Sequence, residues 1–519
     1  MARKKSDDRP FGERIGAAYT TEGAALVLGR AMLDGAVHPE AIVQIPAAMT
    51  NRHGLIAGAT GTGKTKTLQL MAEQLSSIGV PVFAADIKGD LSGVSRPGEA
   101  DERITRRSED LGVEWSPSAF PTSFLSLGGL GPGVPVRATV SSFGPQLLAK
   151  VLGANDTQEA SLALLFRYAD QNNLALLDLD DLREVLKFLD SDEGKDELKE
   201  MGGVSAATVG VLLRSIIQLE DQGGAAFFGE PELEVADLMR TTSDGRGIVS
   251  CLELAAVQDR PKLFSTFLMW LLAELFHDLP EVGDLDKPKL VFFFDEAHLL
   301  FADASDAFLD SVAQTVRLIR SKGVGVFFVT QLPDDVPEAV LAQLGNRVQH
   351  ALRAFTPRDA KALKAAVTTY PKTDDYDLEE DLTQLGTGEA MVTILSERGA
   401  PTPVVWTRLL APQSSMAAVP AGELNAAAEA DPLWARYAEE VDRDSAREKL
   451  ARRLAESAAA DAPDDDEAEV RRQDPPRQPR AGRRRNDESP VTSFLRSREG
   501  RQLANTVARG VFSLLKKRR

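Results

Sequence analysis

The segment Gly58-Ala59-Thr60-Gly61-Thr62-Gly63-Lys64-Thr65 constrains this chain more than any other stretch. It fits the pattern G-x-x-x-x-G-K-[ST] at every fixed position. An apolar stretch, His53 to Ala57, runs into it, and an amphipathic stretch, Thr65 to Ser77, runs out. A strand candidate, Val80 to Asp86, follows after a single turn. Strand, loop, helix and strand in that order predict a parallel α/β sheet. The glycines let the backbone curl until successive N–H groups face one anion. The start of the helix adds positive partial charge at the same point. Residues Gly58 to Thr65 are therefore expected to cradle the phosphates of a nucleotide. Lys64 would reach the β- and γ-phosphates, and the Thr65 hydroxyl would ligate Mg2+.

A second signal lies far along the chain. Leu290-Val-Phe-Phe-Phe294 is a run of five apolar residues ending in Asp295-Glu296. A parallel strand covered on both faces reads this way. Asp295 at its carboxyl end would hold Mg2+ through water, and Glu296 would polarise the attacking water as general base. A third strand candidate, Val326 to Thr330, ends at Gln331, whose amide can sense a γ-phosphate or orient water. Hydrolysis of this kind uses a cation on the γ-phosphate, often from a neighbouring subunit. Arg317, Arg320, Arg347 and Arg353 are the candidates, with Arg320 and Arg353 preferred because each closes an element. Asp86-Ile-Lys88-Gly-Asp90 follows the second strand and could sit near the same site. His298 completes an Asp-Glu-Ala-His string, but no Q-R-x-G-R-x-G-R motif or second motor domain follows it. His53 reads as a local hydrogen-bonding residue. With no Asn-Lys-x-Asp string to read guanine, ATP is favoured over GTP.

Length sets the organisation. At about 100–200 residues per domain, 519 residues suggest two to four folding units. Residues 1–40 read as a polar leader with a helix-like stretch near Ala24 to Met32. Residues 41–90 form the phosphate-loop half of the core, and 246–412 the half bearing Asp295 and Glu296. Between them, 91–245 reads as a mostly helical insertion, with candidates at Thr157–Tyr168, Leu174–Leu189 and Val204–Leu219. Residues 413–490 turn low in complexity and are expected to be largely disordered. Residues 491–519 regain a pattern: Leu503, Val507, Val511 and Leu514 mark one face of a basic amphipathic helix.

Charge and cysteine usage narrow the setting. Net charge is −18, yet residues 471–519 carry 15 Lys/Arg and 4 Asp/Glu, leaving the rest of the chain at −29. An acidic body excludes nucleic-acid binding over the whole surface; a local basic path or the tail must supply any such contact. The tail could equally meet an acidic membrane surface or a protein partner. A single cysteine, Cys251, excludes a disulfide framework. The first twenty residues lack an apolar h-region, and the longest apolar run, Leu263 to Phe276, is too short to span a bilayer. A cytoplasmic location is expected, with peripheral membrane association through the tail as its variant.

Taken together, Asn51 to Thr65, Phe292 to His298 and Val329-Thr-Gln331 resemble the HerA–FtsK superfamily of ATPases. The bacterial HerA-like group, sometimes called YjgR-like, is the nearest in pattern. Phe227-Phe-Gly-Glu-Pro231 and the basic C-terminal helix are also similar to that group. The resemblance implies a RecA-like P-loop core, ATP and Mg2+ as cofactors, and a homo-hexameric ring. In better-known members the ring pumps duplex DNA through its pore. By motif position, Lys64 and Thr65 correspond to Walker A, Asp295 and Glu296 to Walker B, and Gln331 to the strand-end sensor.

Overall fold

The computed structural model describes residues 9–198, 202–301, 306–441 and 443–460. One compact unit runs to Ala455; the second, from Glu456 onward, falls almost wholly outside the described residues. The basic helix expected at 491–519 and residues 461–490 lie outside them.

Twelve strands form one sheet. In chain order they are β1 (Ala25–Leu33), β2 (Ala36–Pro46), β3 (Gly54–Ala57), β4 (Val82–Asp86), β5 (Thr122–Leu127), β6 (Val134–Val136), β7 (Val249–Glu253), β8 (Leu290–Phe294), β9 (Val324–Thr330), β10 (Asn346–Gln349), β11 (Glu389–Thr393) and β12 (Val405–Leu409). Across the sheet the order is β2-β1-β12-β11-β10-β3-β9-β8-β4-β7-β5-β6. The eight strands from β10 to β6 are mutually parallel, while β2, β1, β12 and β11 form an antiparallel wing. The expected α/β class with a mostly parallel sheet is what the chain adopts.

The central strands show why. Every residue of β3, β4, β7, β8 and β9 is buried. Side chains alternate between faces along a strand. Phe292 and Phe294 accordingly join the core on one face with Phe83 and Phe328, while Val291 and Phe293 join the other with Phe327 and Val329. The helix Lys64–Ser77 packs Leu68, Met71, Ala72 and Leu75 against that second face. Each such side chain contributes about 1.5–3 kcal/mol by leaving water.

Three expectations change. The stretch Ala24 to Met32 is strand, not helix: β1 and β2 form a hairpin through Asp34 and Gly35, both at positive φ (49° and 77°). Two left-handed residues are what a tight hairpin turn needs. Its Leu, Ala and Met content suits helix, but pairing with β12 overrides that propensity. Next, the segment 91–245 is not only a helical insertion, because β5 and β6 extend the parallel sheet. One helix, Glu102–Leu111, precedes these strands, and the remaining helices follow from Val140. Finally, the described residues between 413 and 460 are structured, not largely disordered. Helices Ala421–Glu429, Trp434–Tyr437 and Ala446–Ala460 bury Leu424, Ala428, Tyr437, Ala446 and Leu450, enough apolar contact to hold a polar stretch in place.

Candidate active site

Parallel strands place all their carboxyl ends on one edge of a sheet. Here that edge collects Gly58 after β3, Thr330 and Gln331 at the end of β9, Asp295 and Glu296 after β8, and Asp86 at the end of β4. Only β9 stands between β3 and β8. Two strand spacings, roughly 10 Å, therefore separate the glycine loop's strand from the acidic strand.

The loop is tied down on both sides. Gly58 N donates to Thr330 O (3.2 Å) on the β9 side, and Ala59 N to Ala351 O (2.8 Å) on the β10 side. Gly58, Gly61 and Gly63 hold φ of 153°, 80° and 113°. A Cβ on Gly58 would lie 2.5 Å from His350 Cβ, so the first glycine is required for packing as well as for φ. Thr60 and Gly61 are exposed at the tip, Thr65 is half-buried, and Lys64 is buried. The Lys64 ammonium donates to Gly58 O (2.7 Å) and Ala59 O (3.2 Å), across the mouth of the loop. Burial holds its pKa below the ordinary lysine value.

The facing acids are strongly perturbed. Burial, then the charges of Glu296 and Asp86, push Asp295 up to about 7. Its Oδ1 accepts from Glu296 N (2.9 Å). Glu296 adopts φ +47°, in the left-handed region. Its Oε1 accepts from Lys88 Nζ, and His298 Nδ1 lies 3.2 Å from Oε2 without hydrogen-bond geometry. Burial opposes ionisation of Glu296, but Lys88, His298 and Lys64 outweigh it and hold the carboxyl below its usual value. Asp86 uses both oxygens to cap its own loop, accepting from Gly89 N and Leu91 N at 2.8 Å each. Carboxylate oxygens of Asp86, Asp90 and Asp295 lie within 4.8 Å of one another. Asp90 Oδ1 is buried without a partner. Such a set of hard oxygens, one unpartnered and one whose pKa is raised by burial and then by like charges, fits a small divalent cation beside Asp295.

The other expected residues divide. Gln331 is exposed, one residue past the end of β9, on the site's edge. Arg353 lines a cavity with Gly61 and Thr62 of its own glycine loop. Arg320 is exposed just before β9, at the opposite edge of the sheet. The chain therefore does not bring it to its own site.

Several residues that sequence reasoning missed hold the loop. Thr330, fully buried, donates to Asp335 Oδ2 (2.7 Å), which also accepts from Leu332 N (2.8 Å). His350 pairs its Nε2 with Thr67 Oγ1 (2.9 Å), and burial with the Lys64 charge pushes it down to about 3, so the ring stays neutral. Arg107 donates to the carbonyls of Thr387 (2.8 Å), Gly388 and Leu409 (both 3.0 Å), while Gly388 N donates to Thr62 O (3.0 Å). Thr330 lies in the Val329-Thr-Gln331 string, and the others belong to no contiguous motif. The only available signal is the carboxyl end of a strand, which β10 gives for His350.

Comparison with known proteins places the chain in a family and a fold. Residues 32–519 match the family described as helicase HerA-like C-terminal. "Probable helicase MJECL08" of Methanocaldococcus jannaschii is 25% identical over 361 residues, or 66% of this chain. The match spans 64% of that relative's own length, just under two thirds. The plasmid coupling protein TrwB in complex with ADP and Mg2+ superposes with a TM-score of 0.51 at 15% identity, over 79% of this chain and 94% of that one. TrwB in complex with the ATP analogue ADPNP gives 0.51 at 15% identity, over 79% and 95%. At that identity the likeness shows the fold, a large α/β sheet shared across most of both chains. With nearly its whole length matched, the chain belongs to the helicase HerA-like C-terminal family.

Proposed function

We propose that this protein is a magnesium-dependent ATPase of the HerA–FtsK type, a ring-forming motor that couples ATP hydrolysis to translocation on, or remodelling of, duplex DNA. One observation carries the reading: the Lys64 loop and the Asp295–Glu296 tip stand at the same sheet edge with a single strand between them. The nucleotides and Mg2+ bound to TrwB support ATP and Mg2+ here.

In this reading the backbone of Gly58 to Thr65 cradles the phosphates, and Lys64 turns from its carbonyl contacts to the β- and γ-phosphates. Thr65 and Asp295 would hold the cation, Asp295 through water. Bound there, magnesium would supply positive charge to offset that of the phosphates. Glu296, kept ionised by Lys88, accepts the proton of a water aligned on the γ-phosphate, and Gln331 fixes that water from the neighbouring strand end. Arg320, remote from its own loop, is the candidate to reach a neighbouring subunit's site in a homo-hexamer.

The test separates binding from turnover. Lys64→Ala is expected to abolish ATP binding. Glu296→Gln is expected to bind ATP normally and lose about 10²–10⁴ in turnover, the usual worth of a general base. Full turnover by Glu296→Gln would remove the base assignment; tight ATP binding by Lys64→Ala would remove the cradle.

The acidic body favours a second reading, an ATPase that works on protein partners or at an acidic membrane surface without nucleic acid. No helix among the described residues is long and apolar enough to cross a membrane. Attachment would then be peripheral, through the basic tail. An ATPase rate indifferent to duplex DNA would favour this alternative.

A further inference from the structure

The two oxygens of Glu296 meet different surroundings. Oε1 accepts from Lys88 Nζ. Oε2 is buried and has no hydrogen-bond partner among the described residues; His298 Nδ1, 3.2 Å away, lacks the geometry to donate. A buried acceptor left without a donor is costly and uncommon. This one belongs to the acid that faces the glycine loop: of the charges acting on the Lys64 ammonium, that of Glu296 is the largest.

The lysine that holds Oε1 stands on a braced turn. β4 ends at Asp86, whose carboxylate accepts from Gly89 N and Leu91 N (2.8 Å each). Gly89, at φ 72°, turns the chain back. Ser92 Oγ donates to Gly89 O (3.1 Å) and accepts from Val419 N (2.9 Å), which ties the turn to a segment 327 positions away. β4 is the neighbour of β8, so Lys88 leaves this turn beside the acidic strand tip. The Lys88 side chain is 43% exposed and that of Glu296 5%, so the ammonium reaches the carboxylate from the solvent side. The last torsion of a glutamate is broad on its own. A charge-assisted bond to one oxygen narrows it and fixes where the other points.

We propose that Lys88 is a positioning residue for the general base: by holding Oε1 of Glu296 it aims Oε2 at the water that attacks the γ-phosphate. Oε2 takes a proton from that water as its oxygen bonds to the γ-phosphorus and the bond to the β–γ bridging oxygen breaks. Lys88 touches neither the water nor the nucleotide, so its effect passes through Glu296 alone. The assignment rests on the ATPase reading above, which names the base but neither the oxygen that acts nor what aims it.

The test uses the full chain, with ATP turnover and ADP binding both measured in the presence of Mg2+. Lys88→Ala is expected to lower kcat by up to about 10²-fold, the scale set by a misplaced reacting group. Its ADP affinity should match that of the unaltered chain, which also shows that the variant folds. Lys88→Arg keeps a cation that can hold a carboxylate and should recover most of the turnover. Added to Glu296→Gln, Lys88→Ala should cost nothing further, because both changes act through one group. A further loss in the double variant, or weakened ADP binding, would make Lys88 act apart from Glu296 and overturn the assignment. Undiminished turnover by Lys88→Ala would overturn it too, as would a rise, which would mark Lys88 as a brake on the base. If Glu296→Gln is inactive while Lys88→Ala is fully active, the ATPase reading stands and this assignment alone falls. Absence of ATP hydrolysis by the unaltered chain would remove both.

Discussion

Glu296 combines two costs that a purely structural residue would shed. Its left-handed backbone costs about 1–2 kcal/mol for a non-glycine residue. Its carboxyl is buried and held ionised by Lys88. Strain and buried charge at one position suit a group aimed at a reacting atom. His53 shows the structural counterpart. It is buried, its Nδ1 accepts from Val326 N (3.1 Å), and burial pushes it down to about 4. The folded chain keeps this ring neutral, whereas the unfolded chain protonates it below about 6.5. Below that value the unfolded state binds more protons, so acid removes stability at up to about 1.4 kcal/mol per pH unit until the folded pKa near 4 is reached. His53→Gln keeps an acceptor for Val326 and cannot titrate. Its urea midpoint should therefore fall less than that of the unaltered chain between pH 6.5 and 4.5. Parallel curves would show that His53 does not bear on acid stability. The sequence marked His53 as a hydrogen-bonding residue but made the bond local, whereas its partner on β9 is 273 positions away; Lys64, Thr65, Asp295 and Glu296 were readable because each belongs to an unbroken motif. His350 was illegible for the opposite reason: what defines it is a contact between distant stretches of chain, its bond with Thr67, 283 positions away.

Elements differ in how far their own residues determine them. β8 and β9 were readable because unbroken apolar runs admit few other structures in a parallel sheet. β1 was not, since its composition suits a helix and only its partners make it a strand. The run after β12 was illegible too. Residues 413–416 read as polar coil, yet the helix Lys64–Ser77 grips them with its outward face. Glu73 accepts from Gln413 N and Ser414 N (2.9 Å each), Gln69 donates to Ser414 Oγ (2.6 Å) and Ser415 O (2.8 Å), and Lys66 donates to Met416 O (2.9 Å). Positions 66, 69 and 73 share one helical face. Burial raises the Glu73 pKa against these hydrogen bonds, so the strap supplies donors that the carboxyl needs. Glu73→Ala strands two inward-facing amides. Its expected cost is about 2–6 kcal/mol, from roughly 1–3 for each unsatisfied group. Glu73→Gln, which keeps one acceptor oxygen, should recover part of it. Chemical denaturation of the three chains measures this, and a loss under about 0.5 kcal/mol, the range of a featureless surface change, would mean the strap is not held by Glu73.

At the scale of the whole molecule the decisive fact is the division of charge. The body at −29 repels a polyanion, and the 49 residues at its end carry +11. A motor on duplex DNA built this way must bring its substrate in through a restricted set of cations, and the tail is the densest set in the sequence. Counterion release then makes the contact steeply salt-dependent: about 6–10 phosphate contacts lose roughly 10³–10⁵ in affinity between 50 and 200 mM salt. The site itself needs nothing from the tail, since Lys64, Asp295, Glu296 and Gln331 all precede residue 460. Ending the chain at Ala460 should therefore preserve basal ATP hydrolysis. If duplex DNA is the substrate, the full chain should be stimulated by it at low salt, and the truncation, or 200 mM salt, should remove that stimulation. Equal stimulation of both chains would locate the DNA contact in the acidic body, along a ring pore rather than the tail. No stimulation of either, with flotation of the full chain alone on anionic vesicles, would give the tail to the membrane. The motor would then act on something other than nucleic acid.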